Sequence, residues 1–146
     1  MNNGTLVTSI IKSTRRVRDQ YDAAISRAAH QCGITRPEAD VLLFLYNNPT
    51  LNTARDIVYY RGFSKAYVSK AVDPLIRQGM INMTTDPSDR RRQLLSISGG
   101  AEIAEKLRTA QAAFLSALTE GIPQSELECF MAVNEAMCKN AERIGE

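Results

Sequence analysis

Apolar residues recur at three- and four-residue intervals over much of the chain, a spacing that predicts helices with one buried face. The first of these helices is expected over residues 5–30. Its beginning contains Leu6, Val7, Ile10 and Ile11 and has little polar circumference, so it is too apolar to stay in contact with water. We therefore expect this end of the helix to pack against a second copy of the chain.

A buried helix is predicted after a turn at Gly33. Thr35, Pro37 and Glu38 have the order of a helix cap, an early proline and a capping-box glutamate. The residues that follow, 39–45, are apolar nearly all round, which is typical of a helix that is covered on every side. We expect this helix to lie in the core.

Two short helices joined by a turn are predicted next, which is the arrangement of a helix-turn-helix. Asn52 or Thr53 caps the first of them, and the turn contains Gly62. Ser64 caps the second helix, which ends at Gly79. The face that anchors the second helix to the core consists of Val68, Val72 and Leu75.

The opposite face of this second helix presents short hydroxyls, a phenol and two ammonium groups within two turns. Such groups reach the acceptors of phosphates and of base edges, so they suit a nucleic acid better than an apolar partner. A basic helix face alone is also compatible with an ordinary solvated surface. The candidate DNA-binding residues on this helix are Ser64, Lys65, Ala66, Tyr67, Ser69 and Lys70.

A two-stranded hairpin with a charged tip is predicted after this helix. Residues 80–84 and 92–98 have strand composition, and residues 85–89 have turn composition. Three adjacent guanidiniums repel one another, so their presence at the tip indicates a polyanion, and narrow minor grooves of DNA attract such side chains. We expect Asp89 to orient Arg91 through a fork of hydrogen bonds. The candidate DNA-binding arginines are Arg90, Arg91 and Arg92, and the carboxylates expected to orient them are Asp86 and Asp89.

Two more amphipathic helices are predicted in the last third of the chain. The first covers residues 101–119, and the second begins with a capping box of Ser125 and Glu128. Neither helix has a strand near it in sequence to cover its apolar side. We therefore expect both to join the first helix in a layer that meets the same layer of a second subunit.

The composition is that of an ordinary globular domain, with 146 residues, 44% of them hydrophobic and 23% charged. No apolar run approaches the roughly eighteen residues of a membrane span, and the first charges come after the first apolar residues, unlike those of a signal peptide. We expect a cytoplasmic protein with no membrane partner. Cys32, Cys129 and Cys138 are odd in number and lack the spacing of metal ligands, so we expect neither a disulfide framework nor a metal site.

Charge is distributed unevenly, although the formal net charge is only +2. The number of Lys and Arg residues minus the number of Asp and Glu residues is 7 − 5 for residues 1–60, 7 − 3 for residues 61–100 and 4 − 8 for residues 101–146. A basic middle and an acidic end are typical of a protein with one surface for nucleic acid and another that avoids it.

Residues that would carry a reaction are missing from the sequence. His30 is the only histidine and is expected at a helix end, and no Ser-His-Asp combination is evident. Gly99 and Gly100 lack the flanking lysine and the spacing of a phosphate loop. We therefore expect a protein that is not an enzyme and that uses no cofactor.

Residues 34–100 resemble the winged helix-turn-helix core of the MarR family of bacterial transcriptional regulators. The segment SKAYVSKAVDPLIRQGMI is similar to that family's recognition helix, and DPSDRRRQLLSIS is similar to its wing. The pattern of Asp86, Asp89, Arg90 and Arg91 before a strand is the most specific part of the resemblance.

The resemblance implies a mainly α fold with a small β-hairpin wing, in one domain over residues 1–146. It implies a DNA-binding core over residues 34–100 and dimerisation helices over residues 1–30 and 101–146. Such a dimer places two recognition helices about one turn of DNA apart, so it binds double-stranded DNA at an inverted repeat. Members of the family commonly release DNA when a small aromatic or anionic ligand binds, or when a cysteine is oxidised. A repressor controlled by a small-molecule effector is therefore expected.

Particular roles follow from the same resemblance. The base-contacting role falls on Lys65, Ser69 and Lys70, and the minor-groove role falls on Arg91, with Arg90 next to it. Asp73 is expected to brace a nearby arginine.

Two positions depart from the family's pattern. Lysine at position 70 stands where arginine is common, and it lacks the planar fork that arginine presents to guanine. Pro74 removes the amide that would bond to the Lys70 carbonyl, so a kink is expected.

Two other functions are compatible with these residues. One is a winged-helix module that binds proteins and not DNA, and the other is a regulator that senses oxidation through its cysteines. For a ligand site, Tyr21, Phe44 and methionine residues could line a crevice, but packing in the core explains them equally well.

Overall fold

Six helices and one antiparallel hairpin make up the part of the chain that the structure, a computed structural model, describes, which is residues 2–145. The predicted mainly α fold with a hairpin wing is confirmed. Met1 and Glu146, the outer ends of the predicted domain, lie outside the described residues. The elements in chain order are α1 (Asn3–Gln31), α2 (Arg36–Asn47), α3 (Ala54–Arg61), α4 (Lys65–Arg77), β1 (Ile81–Asp86), β2 (Asp89–Ile97), α5 (Ala101–Leu118) and α6 (Gln124–Ile144).

Side-chain caps begin α2 and α3 at the positions that the sequence indicates. The Thr35 backbone N–H donates to Glu38 Oε2 at 2.9 Å, and the Glu38 N–H donates to Thr35 Oγ1 at 3.4 Å. The Thr53 and Asp56 pair makes the same two contacts, at 3.0 and 3.1 Å. Thr53, and not Asn52, is therefore the cap of α3.

The chain divides into two compact units, one up to Phe114 and one from Leu115 onward. In the first unit α2 is the central element, and every residue from Glu38 to Leu45 is buried. It packs against α1, α4 and β2, and α4 also contacts α3 and β1. The prediction of a buried second helix is confirmed. The largest fully buried side chains of this core are Ile25, Leu42, Ile57, Leu75, Ile81, Leu107, Val41 and Val68.

Most of α1 takes no part in this core. Ile25, Ala28 and Ala29 are its buried residues, whereas residues 2–20 are all exposed. The exposed part includes the apolar side chains that the sequence analysis singled out, among them Ile11 at 64% exposure.

In the second unit, α6 has no buried residue. The predicted capping box of Ser125 and Glu128 is wrong, because the N-cap of the helix is Pro123, two residues before Ser125, and it makes no side-chain cap. Gln124 Nε2 donates instead to Glu128 Oε1 at 3.1 Å. Across residues 2–145, no helix combines the length and the apolar character that a bilayer crossing requires.

Candidate nucleic-acid interface

The second helix of the helix-turn-helix, α4, is fixed at both ends. Ser64 is its N-cap, and Ser64 Oγ accepts the backbone N–H of Tyr67 at 3.1 Å. Gly62 has φ +64° and Gly79 has φ +70°, left-handed values that glycine adopts without strain, so one ends α3 and the other ends α4. The anchoring face is buried as predicted and consists of Val68, Ala71, Val72 and Leu75.

The candidate DNA-binding residues on α4, with the exception of Tyr67, lie on the exposed side of the helix. They are Ser64, Lys65, Ala66, Ser69 and Lys70. Neither lysine forms an ion pair within the described residues. Asp73 is also exposed and, over the same range, is not paired with an arginine. This face of α4 therefore presents hydroxyls, ammonium groups that form no ion pair, and the carboxylate of Asp73 to solvent.

Tyr67 points elsewhere. Its hydroxyl donates to Asp40 Oδ2 on α2 at 2.7 Å, and its ring lies 4.7 Å from the ring of Phe63. Burial and the bond to Asp40 both raise the pKa of the Tyr67 phenol, so it remains a protonated donor. Because this hydroxyl is occupied inside the protein, Tyr67 differs from the other candidate residues on α4.

Pro74 lies inside α4, and the helix continues through it to Arg77. The Pro74 carbonyl accepts the N–H of Gln78 at 2.9 Å. Its missing N–H falls after Lys65, Ser69 and Lys70, so these exposed residues lie in the part of the helix before the proline.

In the wing, the three arginines occupy a bulge. Thr85 pairs with Gln93 and the next residue, Asp86, pairs with Asp89, so the residues between Asp89 and Gln93 have no partner on β1. Those residues are Arg90, Arg91 and Arg92. They follow the tip of the hairpin, which is formed by Pro87 and Ser88. A bulge interrupts the regular alternation of side chains between the two faces of a strand, and all three arginines at this bulge are exposed.

Asp86 and Asp89 shape this bulge mainly through the backbone. Asp86 Oδ1 accepts the N–H of Ser88 at 2.9 Å, and Asp89 Oδ1 accepts the N–H of Arg91 at 3.0 Å. The expected fork between Asp89 and the Arg91 guanidinium is therefore replaced by a backbone contact. Arg92 is paired with Asp86 at 3.6 Å.

Arg90 and Arg91 are the arginines that the bulge leaves available for a partner. Both are exposed, and among residues 2–145 neither forms an ion pair. Unpaired guanidiniums on a hairpin can contact phosphates or enter a minor groove without first breaking an internal bond.

An open groove of about 340 Å³ runs between α3 and α4 beside the exposed lysine Lys65. Its walls are largely apolar and include Val58 and Val72. The polar residues that line it are Arg55, Lys65, Ser69 and Asp73. Sequence analysis did not select Arg55. Its position in the first turn of α3 was a usable signal, because the first helix of a helix-turn-helix crosses the DNA backbone.

A second, smaller cavity lies on the side of α2 that faces α1 and α5, with a volume of about 110 Å³. Gln111 Nε2 donates to the Tyr21 hydroxyl at 2.9 Å, and Asn47 Nδ2 donates to Gln111 Oε1 at 2.9 Å. Sequence analysis left Tyr21 and Phe44 undecided between core packing and a crevice, and the structure places both at this cavity. The residues that line it are Tyr21, Asp40, Leu43, Phe44, Asn47, Asn48, Arg61 and Gln111.

Metal ligation finds no support in the described range, where His, Cys, Asp and Glu side chains nowhere gather in groups of three or more. Cys32 is half-buried, whereas Cys129 and Cys138 are exposed, and all three are free thiols.

Comparison with known families gives one match. Residues 33–92, which run from the turn before α2 to the wing arginines, match the model of the MarR family. No curated relative matches the sequence at a significant level.

Solved structures with the same fold cover nearly the whole chain. MepR of S. aureus, in its DNA-binding conformation, has a TM-score of 0.80 at 19% identity and covers 90% of this chain and 98% of its own. CouR of Rhodococcus jostii RHA1, bound to p-coumaroyl-CoA, has a TM-score of 0.71 at 22% identity and covers 84% of this chain and 87% of its own. BpsR of Bordetella bronchiseptica, whose DNA binding is regulated by 6-hydroxynicotinic acid, has a TM-score of 0.69 at 18% identity and covers 89% of this chain and 98% of its own.

Proposed function

From the match of residues 33–92 to the MarR family, we propose that this chain is a dimeric, sequence-specific DNA-binding regulator of transcription. In this proposal it acts as a repressor that a small-molecule effector releases from DNA. The observation that carries the proposal is the pairing of two cationic surfaces in one compact unit, the exposed face of α4 and the bulged arginines of the wing. Within the described residues, Lys65, Lys70, Arg90 and Arg91 form no ion pair with a carboxylate, whereas Arg92 is paired with Asp86.

Each element has a separate role on DNA. Lys65, Ser69 and Lys70 enter the major groove and contact base edges. Arg91, with Arg90 beside it, reaches the flanking minor groove, and Arg92 contributes less because Asp86 already holds it. Ser64 and Ala66 line the contact.

Exposed apolar side chains on α1 support the dimer. Leu6, Val7, Ile10, Ile11 and Val17 are each at least 38% exposed, along one helix whose first part has no cover. Such a patch marks an interaction surface, because leaving it in water costs roughly 25 cal/mol for each Å². We propose that a second copy of the chain covers it.

The exposed apolar side of the last helix, α6, supports the same contact with a second copy of the chain. Its exposed apolar side chains are Phe130, Met131, Val133, Met137 and Ile144. The segment 101–146 carries an excess of acidic residues, 4 − 8, whereas exposed α1 contains Lys12, Arg15, Arg16 and Arg18. Apolar stripes flanked by opposite charges favour pairing between helices of two identical chains.

For the effector, the cavity beside α2 offers a chemically suitable site. It combines the aromatic side chains of Tyr21 and Phe44 with the cation of Arg61. The Arg61 guanidinium lies 3.7 Å from Asp40 and 5.0 Å from the centre of the Phe63 ring, a loose arrangement that can accept a further anion. An aromatic acid, such as the 6-hydroxynicotinic acid that regulates DNA binding by BpsR, suits this combination. We therefore propose a small aromatic carboxylate or phenol as effector.

A substitution at this cavity tests its proposed role in ligand binding. We expect Arg61→Gln to weaken the binding of aromatic carboxylates about tenfold or more, because it removes the one cation that lines the cavity. The binding of neutral phenols should weaken little. The measurement is the shift in melting temperature over a concentration series of benzoates and phenols. Equal losses for charged and neutral ligands would contradict a carboxylate contact at Arg61.

The proposed function is tested by selecting duplexes from a random DNA pool with the full chain. We expect enrichment of one inverted repeat, and weaker retention of that repeat when an effective aromatic acid is added. Transcription in vitro from a promoter that contains the repeat should fall when the protein is added. A pool that shows no enrichment in dilute buffer would leave a protein-binding winged helix as the better proposal.

A further inference from the structure

Asp40 is a buried carboxylate with several partners from different helices. Its side chain is 1% exposed. Oδ1 accepts from Arg36 Nε at 3.1 Å and lies 3.7 Å from the Arg61 guanidinium, while Oδ2 accepts from the Tyr67 hydroxyl at 2.7 Å. One charge on α2 therefore forms an ion pair with Arg61 at the end of α3 and accepts a hydrogen bond from Tyr67 in the first turn of α4.

Arg36 extends this network to α1. One of its terminal nitrogens donates to the backbone carbonyl of Asp22 at 2.8 Å and to Ser26 Oγ at 3.1 Å. The other donates to Asp22 Oδ1 at 2.9 Å. A planar guanidinium that makes this many contacts fixes its partners in angle as well as in distance.

We infer that Asp40 and Tyr67 are positioning residues, which transmit the placement of α1 to the recognition helix α4. The inference rests on the proposed function in so far as α4 is the helix that contacts DNA. It changes the role expected for Tyr67, which sets the orientation of the helix and does not contact the nucleic acid through its hydroxyl.

Stability alone is a poor explanation of this network. Val68, Ala71, Val72 and Leu75 already bury one face of α4 against the core. A buried ion pair gives little net stability over well-packed apolar residues, and its best-established role is to select one arrangement over close alternatives. Removing one partner leaves a buried charge without compensation, so few other placements of α4 are compatible with the network.

The test variant is Tyr67→Phe, which removes one oxygen and keeps the packing against Phe63. Affinity is measured by fluorescence anisotropy on a duplex selected for the unmodified protein. We expect about tenfold weaker binding, which corresponds to the loss of one hydrogen bond to a charged group. Tyr46→Phe is the matched control, because it removes a tyrosine hydroxyl that donates to Glu105 and lies on no helix of the helix-turn-helix. Its affinity should be unchanged.

A double-mutant cycle with Asp40→Asn distinguishes positioning from direct contact. If Tyr67 acts through Asp40, Tyr67→Phe costs little further affinity in the Asp40→Asn background. Full additivity of the two losses would overturn the inference, as would an unchanged affinity for Tyr67→Phe. Asp22→Ala, which removes a half-exposed partner of Arg36, should weaken binding about threefold, and no change would overturn the part that concerns α1.

Hydrogen exchange without DNA keeps the test decisive if Asp40→Asn fails to fold. Tyr67→Phe should speed amide exchange in the first two turns of α4 while the melting temperature changes little. A hydroxyl that only contacted DNA would leave this exchange unchanged, and that result would overturn the inference. Because hydrogen exchange is measured without DNA, it tests the inference separately from the proposed function. A failure of the unmodified protein to bind any duplex would count against the proposed function and not against the inference.

Discussion

Phe130→Glu converts the protein to a single subunit and weakens its binding to DNA about 10²- to 10⁴-fold, the factor by which two linked contacts exceed one. The Phe130 side chain is 63% exposed in the chain, so the substitution removes nothing from the subunit's own core. At the proposed subunit contact, by contrast, a carboxylate would be buried without a partner, which is strongly unfavourable. The measurements are molar mass by light scattering and affinity by anisotropy.

The control for this prediction places the same charge on the other side of α6. Ala132 lies two residues further along, about 200° around the helix, where the Lys139–Glu135 ion pair also lies. Ala132→Glu should leave both the molar mass and the DNA affinity unchanged. If Phe130→Glu also remained dimeric, the apolar side of α6 would not be the subunit contact.

The second large effect is expected in the wing. Arg91→Ala should weaken DNA binding about tenfold or more, and the slope of log affinity against log salt should fall by about two, because a dimer carries two wings and each loses one contact. Arg90→Ala should act in the same direction. Affinities measured between low and moderate salt give the slope.

Two other arginines serve as controls for the wing. Arg92→Ala should have a smaller effect, because Arg92 is already paired with Asp86 at 3.6 Å. Arg143→Ala removes the same charge from the exposed end of α6 and should leave the slope unchanged. A slope that falls equally for Arg91 and Arg143 would show that net charge matters and that the wing does not.

Local chemistry made most of the fold predictable. The caps at Thr35 and Thr53 bond to amides only three residues away, so each cap can be recognised from four consecutive residues. The glycines that end α3 and α4 act through their own φ angles. Ser125 and Glu128 also have the spacing of a capping box, but α6 begins after Pro123, so these two residues do not form the cap.

The candidate site was predictable where function depends on exposure and charge, and less so where it depends on distant contacts. Lys65, Lys70 and Arg91 could be selected because cations that lie close together in sequence suit an anionic partner. The bond between Tyr67 and Asp40 joins residues 27 positions apart, and no periodicity encodes it. For the same reason, the cavity that holds Tyr21 next to Gln111, 90 positions away, required the folded structure.

Hydroxyl-radical footprinting of the selected duplex tests most directly whether two copies of the chain grip one DNA through helix and wing. We predict two protected stretches related by an inverted repeat, with centres about 10 base pairs apart, and weaker protection in the minor groove outside each when Arg91 is replaced by alanine. A single protected stretch, or none in dilute buffer, would contradict the account.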